Sequence, residues 1–184
     1  MPGRLVAVVG PSGAGKDTIM DGARRHLADS PDIVFVRRVI TRPAEAGGED
    51  HRAATPGEFA AMKASAGFLL DWDAHGIRYG IPASVADEVT AGKTCVANLS
   101  RAAVADARRL LPTMVVEITA PIPVLAERLA RRGRETAADI AERLRRAGAV
   151  QADADLVIVN DGAPETAVEA LVRALRAPDG RHHP

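Results

Sequence analysis

Short apolar runs alternate along this chain with segments in which apolar residues recur every three or four positions. Arg4-Leu5-Val6-Ala7-Val8-Val9 is almost continuously apolar, as for a strand covered on both faces in a parallel sheet. Similar strand-like runs follow at Ile33 to Val36, Thr94 to Asn98, Thr113 to Thr119 and Asp155 to Asn160. Helical spacing marks Lys16 to Leu27, Val85 to Ala91, Arg101 to Leu110, Val124 to Arg131, Ala137 to Val150 and Pro164 to Leu175. This alternation predicts an α/β domain with a mainly parallel central sheet flanked by helices. Ligands in such folds gather at the carboxyl ends of the strands.

From Thr41 to Ile81 the alternation breaks. The pattern there predicts a loop, a short helix over Pro56 to Ser65, and strands at Phe68 to Trp72 and Ile77 to Tyr79, joined by a turn at His75-Gly76. That is a small antiparallel insert on the main sheet, with Trp72 reading as one of its core residues. No repeat, low-complexity stretch or linker divides the 184 residues. The expectation is one domain: a core of about residues 1–40 and 92–177, an insert of about 41–82, and a tail at 178–184.

The turn after the first run carries the strongest chemical signal. Gly10-Pro11-Ser12-Gly13-Ala14-Gly15-Lys16-Asp17-Thr18 matches the phosphate-loop pattern G-x-x-x-x-G-K-[ST], except that Asp17 stands where a hydroxyl is usual and Thr18 follows one residue late. The glycines let several backbone N–H groups point at one anion, and the next helix turns its positive end toward it. Lys16 adds a point charge for the β- and γ-phosphates of a nucleoside triphosphate. Asp17 is open to two readings. A carboxylate in a first helical turn suits the helix dipole, and it also suits Mg²⁺ held between carboxylate and phosphate oxygens, with Thr18 as the alternative ligand.

Charge and composition narrow the classes further. Lys and Arg together number 24, as do Asp and Glu, so the net charge is zero and no bulk attraction to nucleic acid is implied. One cysteine, Cys95, leaves no intrachain disulfide and suits a reducing, cytoplasmic setting. No segment has the apolar length of a membrane span or the form of a signal peptide. Neither monomer nor homodimer is favoured.

A set of ordered motifs resembles the nucleoside-monophosphate kinases, specifically the guanylate kinase branch. These are Gly10 to Lys16, Thr41-Arg42-Pro43, Gly48-Glu49-Asp50-His51, Phe68 to Trp72, Tyr79-Gly80 and Val159-Asn160-Asp161. Several positions depart from that branch. Asp17 replaces Ser after the loop lysine, Pro43 to Ala46 lacks a second arginine, and His51 replaces a tyrosine that contacts phosphate. Arg38 and Ile81 stand at positions of guanine contacts, and Asn98-Leu99-Ser100 replaces a D-x-D. The departures resemble the ribose 1,5-bisphosphate phosphokinases of phosphonate catabolism, through G-K-D, Ile40 to Ala44, Gly47 to His51, Asn98 to Arg101, Arg132 to Glu135 and Asn160 to Gly162.

The resemblance implies a P-loop kinase fold and transfer of the γ-phosphoryl of ATP, with Mg²⁺, to the 1-phosphate of ribose 1,5-bisphosphate. It implies an acceptor site drawn from Arg38, Arg42, Arg78 and Arg101 with His51, Tyr79 and Ser100; Glu49 and Asp71 either orient sugar hydroxyls or pair with the arginines. Strand alternation allows only one of Arg37 and Arg38 into that site. It further implies a lid of about residues 131–138 bearing Arg132 and Arg134, an inward-pointing Arg143, and Asn160 bordering the adenine pocket. Two alternatives remain: a nucleoside-monophosphate kinase, and a non-catalytic binding module on the same scaffold.

Overall fold

The computed structural model describes residues 2–44, 49–131 and 153–177. Strand β1 (Arg4–Val9) is followed by the phosphate loop and helix α1 (Lys16–His26), whose buried face carries Ile19, Met20, Gly22 and Ala23. Leu5 to Val9 are all fully buried, as an unbroken apolar run requires. Strands β2 (Ile33–Phe35), β3 (Val39–Ile40) and β4 (Arg52–Ala53) follow, then α2 (Pro56–Ala64) and the hairpin of β5 (Phe68–Ala74) and β6 (Ile77–Pro82). The chain continues through α3 (Ser84–Thr90), β7 (Thr94–Asn98), a 3-10 turn at Arg101–Ala103, α4 (Val104–Leu110), β8 (Thr113–Thr119) and α5 (Ile122–Arg131). Strand β9 (Leu156–Val159) and helix α6 (Pro164–Arg176) complete the described elements.

Five strands form the parallel central sheet in the order β2-β7-β1-β8-β9, flanked by helices as the alternation predicts. Four more form a second sheet in the order β4-β3-β6-β5. The expected antiparallel insert is present as β3-β6-β5, but β4 pairs parallel to β3, so this sheet is mixed. At two residues each, β3 and β4 are too short to show a period-two pattern, and their pairing is fixed by Arg52 N–H to the Arg38 carbonyl and Ala54 N–H to the Ile40 carbonyl. The turn at His75-Gly76 has φ of 53° and 73°, the two positive values that a tight hairpin turn with the strand twist demands.

The chain groups into two units, residues up to Ala7 with Ser30–Thr113, and Val8–Asp29 with residues from Met114 onward. In the second unit α1 packs on α6, where Gly22 lies directly against Val168. Strand β9 is registered on β8 from Val116↔Leu156 to Thr119↔Val159, and the Val115 N–H donates to the Asp155 carboxylate at 2.6 Å. In the first unit the register Ile33↔Thr94 aligns β2 with β7, and Phe59 of α2 is buried against Phe68 at 4.5 Å between ring centres.

Candidate active site

In the second unit the loop conformation depends on glycine. Gly10 and Gly15 have φ of 143° and 88°, where L side chains are strained. A Cβ at Gly10 would collide with the Ile118 carbonyl, and one at Gly15 would stand 2.6 Å from Nδ2 of Asn160. Asn160 is only 4 % exposed, and its Nδ2 donates to the Ala14 carbonyl at 2.8 Å. Because the peptide is planar and trans, that bond turns the Gly15 N–H to the opposite side of the loop. Oδ1 of Asn160 is buried without a hydrogen-bond partner among the described residues. Asn160 therefore braces the loop, a role that motif reading alone did not supply.

The donor set fits a polyphosphate. No side chain caps the start of α1, whereas α2 is closed by a reciprocal Thr55–Glu58 capping box. Lys16 Nζ donates to the Gly10 and Pro11 carbonyls at 2.8 and 3.1 Å, folded over its own loop. Ser12 and Thr18 are exposed, Asp17 is half-buried in the first turn, and Pro11, Gly13 and Ala14 are buried. Among the described residues no three His, Cys, Asp or Glu side chains converge to hold a metal by themselves. A divalent ion here would rest on Asp17 or Thr18 together with phosphate oxygens, the arrangement Mg²⁺ prefers.

In the first unit, Arg38 is 7 % exposed and grips Glu49 with two hydrogen bonds, Nε to Oε2 at 3.1 Å and Nη2 to Oε1. Its guanidinium lies 4.9 Å from the Tyr79 ring and 5.7 Å from that of Trp72, and those two rings stack at 5.5 Å with a 7° tilt. Arg37 is exposed and paired with Asp50 at 2.9 Å; both arginines lie in the connection between β2 and β3, so the difference between them is one of burial and partner and not of strand alternation. Trp72 is half-exposed rather than a core residue: it sits opposite Tyr79 on the strand pair, where its face receives Arg38. The Tyr79 and Trp72 positions of the hairpin were the signal for this stack, and the flanking Asp71 and Asp73 obscured it.

Asp71 and Arg78 fall on the opposite face of the sheet from Tyr79, because Asp71 pairs with Gly80, and Asp73 with Arg78, in the hairpin register. Lys63 of α2 meets Asp71 at 2.6 Å, and Arg78 meets Asp73 at 3.4 Å. These residues, with Phe59 and Trp72, line a cavity of about 360 Å³. Glu49 and Asp71 are thus both ion-paired, Glu49 to an arginine and Asp71 to a lysine.

Arg42 lies just beyond β3. Its Nε is buried without a hydrogen-bond partner among the described residues, and the side chain lines a cavity of about 460 Å³ with Thr41, Pro43, Ala53 and Thr55. Thr41 holds this corner to β6, with its N–H on the Arg78 carbonyl and its hydroxyl accepting from the Arg78 N–H. His51 is buried with both ring nitrogens beside backbone carbonyls, Glu49 at 2.9 Å and Arg42 at 3.1 Å. The Ser100 hydroxyl accepts from the Ala102 N–H at 3.3 Å, capping the 3-10 turn that Arg101 begins. Arg132, Arg134 and Arg143 lie outside the described residues, as does the expected lid beyond Arg131. Cys95 is buried in β7, and burial pushes its thiol up to about 11, which leaves it unreactive near neutrality.

The comparisons agree with this geometry. The guanylate kinase family profile matches residues 2–178. A ribose 1,5-bisphosphate phosphokinase PhnN of Acidiphilium cryptum is 53% identical over 94% of this chain and 92% of its own length. Another of that name, from Methylobacterium radiotolerans, is 49% identical over 96% of this chain and 99% of its length. Among solved structures, a guanylate kinase from Anaplasma phagocytophilum shares the fold, with a TM-score of 0.65 at 21% identity over 95% of this chain and 85% of that one. A profile match over residues 2–178 and near full-length identity of about half settle the relationship: the chain belongs to the guanylate kinase family, in the group of the ribose 1,5-bisphosphate phosphokinases.

Proposed function

We propose that the protein is an ATP-dependent ribose 1,5-bisphosphate phosphokinase that forms 5-phospho-α-D-ribose 1-diphosphate and ADP. The observation that carries this is identity of 53% across 94% of the chain to a phosphokinase of that name, with the phosphate loop intact. An oxygen of the acceptor's 1-phosphate forms a bond to the γ-phosphorus of ATP. The bond from that phosphorus to the β,γ-bridging oxygen breaks, and its electron pair leaves with ADP. The acceptor oxygen is already anionic at neutral pH, so no side chain has to remove a proton. Catalysis then consists of alignment and charge neutralisation.

On the donor side, the loop N–H groups of Gly10 to Thr18 and the charge of Lys16 would hold the β- and γ-phosphates. Mg²⁺, held by Asp17 with Thr18 as the alternative, would neutralise phosphate charge. On the acceptor side, Arg42 is assigned to a sugar phosphate, since its buried Nε lacks a protein partner among the described residues. Arg38, held by Glu49, and Arg101 supply further positive charge, and Tyr79 and Ser100 supply hydroxyl groups for phosphate and sugar; Asp71 and Arg78, on the other face of the hairpin and paired with Lys63 and Asp73, are left out of this set. Arg132, Arg134 and Arg143 are assigned to the charge on the transferring group and to excluding water, which would otherwise hydrolyse ATP. With one buried cysteine, no helix among the described residues long and apolar enough to cross a membrane, and ATP as donor, the assigned compartment is the cytoplasm. No nucleic-acid partner is assigned.

Phosphorus NMR of a mixture of protein, Mg-ATP and ribose 1,5-bisphosphate tests the reaction. The expected result is loss of the 1-phosphate signal and growth of paired diphosphate signals in step with ADP. ADP formed at the same rate without the sugar bisphosphate would overturn it.

A further inference from the structure

His51 replaces a phosphate-contacting tyrosine of the guanylate kinase pattern, which suggested that its ring would touch the acceptor. The geometry assigns it other work. Its ring is 3 % exposed, with Nδ1 2.9 Å from the Glu49 carbonyl and Nε2 3.1 Å from the Arg42 carbonyl. Both neighbours are acceptors. Whichever ring nitrogen carries the proton donates to the carbonyl beside it, and the ring spans the gap between the two backbone segments. The Glu49 carboxylate takes no part in this, since its two oxygens are held by Arg38.

The two carbonyls belong to the residues that carry the polar chemistry of this corner. Arg42 presents a guanidinium whose Nε lacks a hydrogen-bond partner among the described residues. Glu49 fixes Arg38 against the stacked Tyr79 and Trp72 rings. We propose that His51 is a positioning residue: a buried ring set between the backbone carbonyls of Arg42 and Glu49, which clamps the two segments and so sets both side chains for the acceptor without touching it. This rests on the reading of the insert as the acceptor site. Side chains held by backbone clamps of this kind keep the placement that phosphoryl transfer needs, where small displacements cost rate.

Nitrogen-15 NMR of the imidazole ring in the wild-type protein tests the clamp without turnover, so its failure is separable from failure of the kinase assignment. Expected is a ring N–H protected from exchange, with nitrogen shifts that stay in place when ribose 1,5-bisphosphate is added. A ring N–H that exchanges freely with solvent, or a ring signal that moves as a direct ligand's would, overturns the proposal. A double-mutant cycle gives the second readout. His51→Ala should raise the acceptor KM by about tenfold or more and leave the ATP KM unchanged, yet add clearly less than that in an Arg42→Ala background, where only the path through Glu49 and Arg38 remains. Effects that multiply independently would mean that His51 makes a substrate contact of its own, and would overturn the clamp.

Discussion

Gly15 and Asn160 are 145 residues apart in sequence, yet a single methyl group on the glycine would stand 2.6 Å from the asparagine amide. The loop itself was legible because its determinants are consecutive: glycines at constrained φ, a lysine, and a helix start. The brace was not, since nothing local to Asn160-Asp161-Gly162 says which carbonyl its side chain meets. Asn160→Ala would leave the buried Ala14 carbonyl without its partner, at a cost of about 1–3 kcal/mol. The expected outcome is ATP affinity lowered about tenfold or more by calorimetry, with a lower melting temperature; an unchanged ATP affinity would remove Asn160 from the donor site. Asp17 is the other residue to test at this scale. If it helps to hold the metal, Asp17→Ala shifts half-maximal activity to higher Mg²⁺ concentration, and a Mg²⁺ titration identical to the wild type would return it to the role of a helix-dipole partner. Strand alternation was expected to part Arg38 from Arg37, but both lie in the connection between β2 and β3, and they differ there in burial and in partner, Glu49 against Asp50. The stack with Trp72 and Tyr79 and the grip of Glu49 needed the hairpin register, which no local pattern states.

Elements with strong local signals sit where the pattern places them. β1, β7 and β8 coincide with their apolar runs, and α6 begins at Pro164, a residue suited to a first helical turn. Helix α2 shows why: Thr55 accepts from the Glu58 N–H, the Glu58 carboxylate accepts from the Thr55 N–H and hydroxyl, and Pro56 opens the first turn. Thr55→Ala should destabilise the protein by about 1 kcal/mol in urea unfolding at neutral pH. Hydrogen bonds from the Thr55 backbone and hydroxyl hold the Glu58 carboxyl below the usual Glu value. A folded value below the unfolded one means that this contribution is present above the ordinary Glu range and lost as the pH falls through the lowered value. The wild-type advantage over Thr55→Ala should therefore shrink in acid, and an advantage that grew on acidification would contradict the assignment. The strands β3 and β4 mark the opposite case. Two residues cannot display a period, so the parallel pairing that makes the second sheet mixed is a tertiary outcome.

At the scale of the molecule, the alternation of runs and helices was enough for the α/β class and the parallel sheet, because burial on both faces erases polar positions in β1 and in much of β8. Function was legible only through residues that depart from the guanylate kinase pattern, chiefly Asp17, Arg38, His51 and Asn98 to Arg101. The fold alone does not decide what the enzyme accepts, since one scaffold hosts many substrates. The central claim is the identity of the acceptor. Ribose 1,5-bisphosphate and guanosine monophosphate should be compared in one ADP-coupled assay with Mg-ATP. The account predicts a kcat/KM for the sugar bisphosphate at least about a hundredfold above that for the nucleotide, the range that lost and gained polar contacts can support. Equal or greater efficiency with guanosine monophosphate would contradict it.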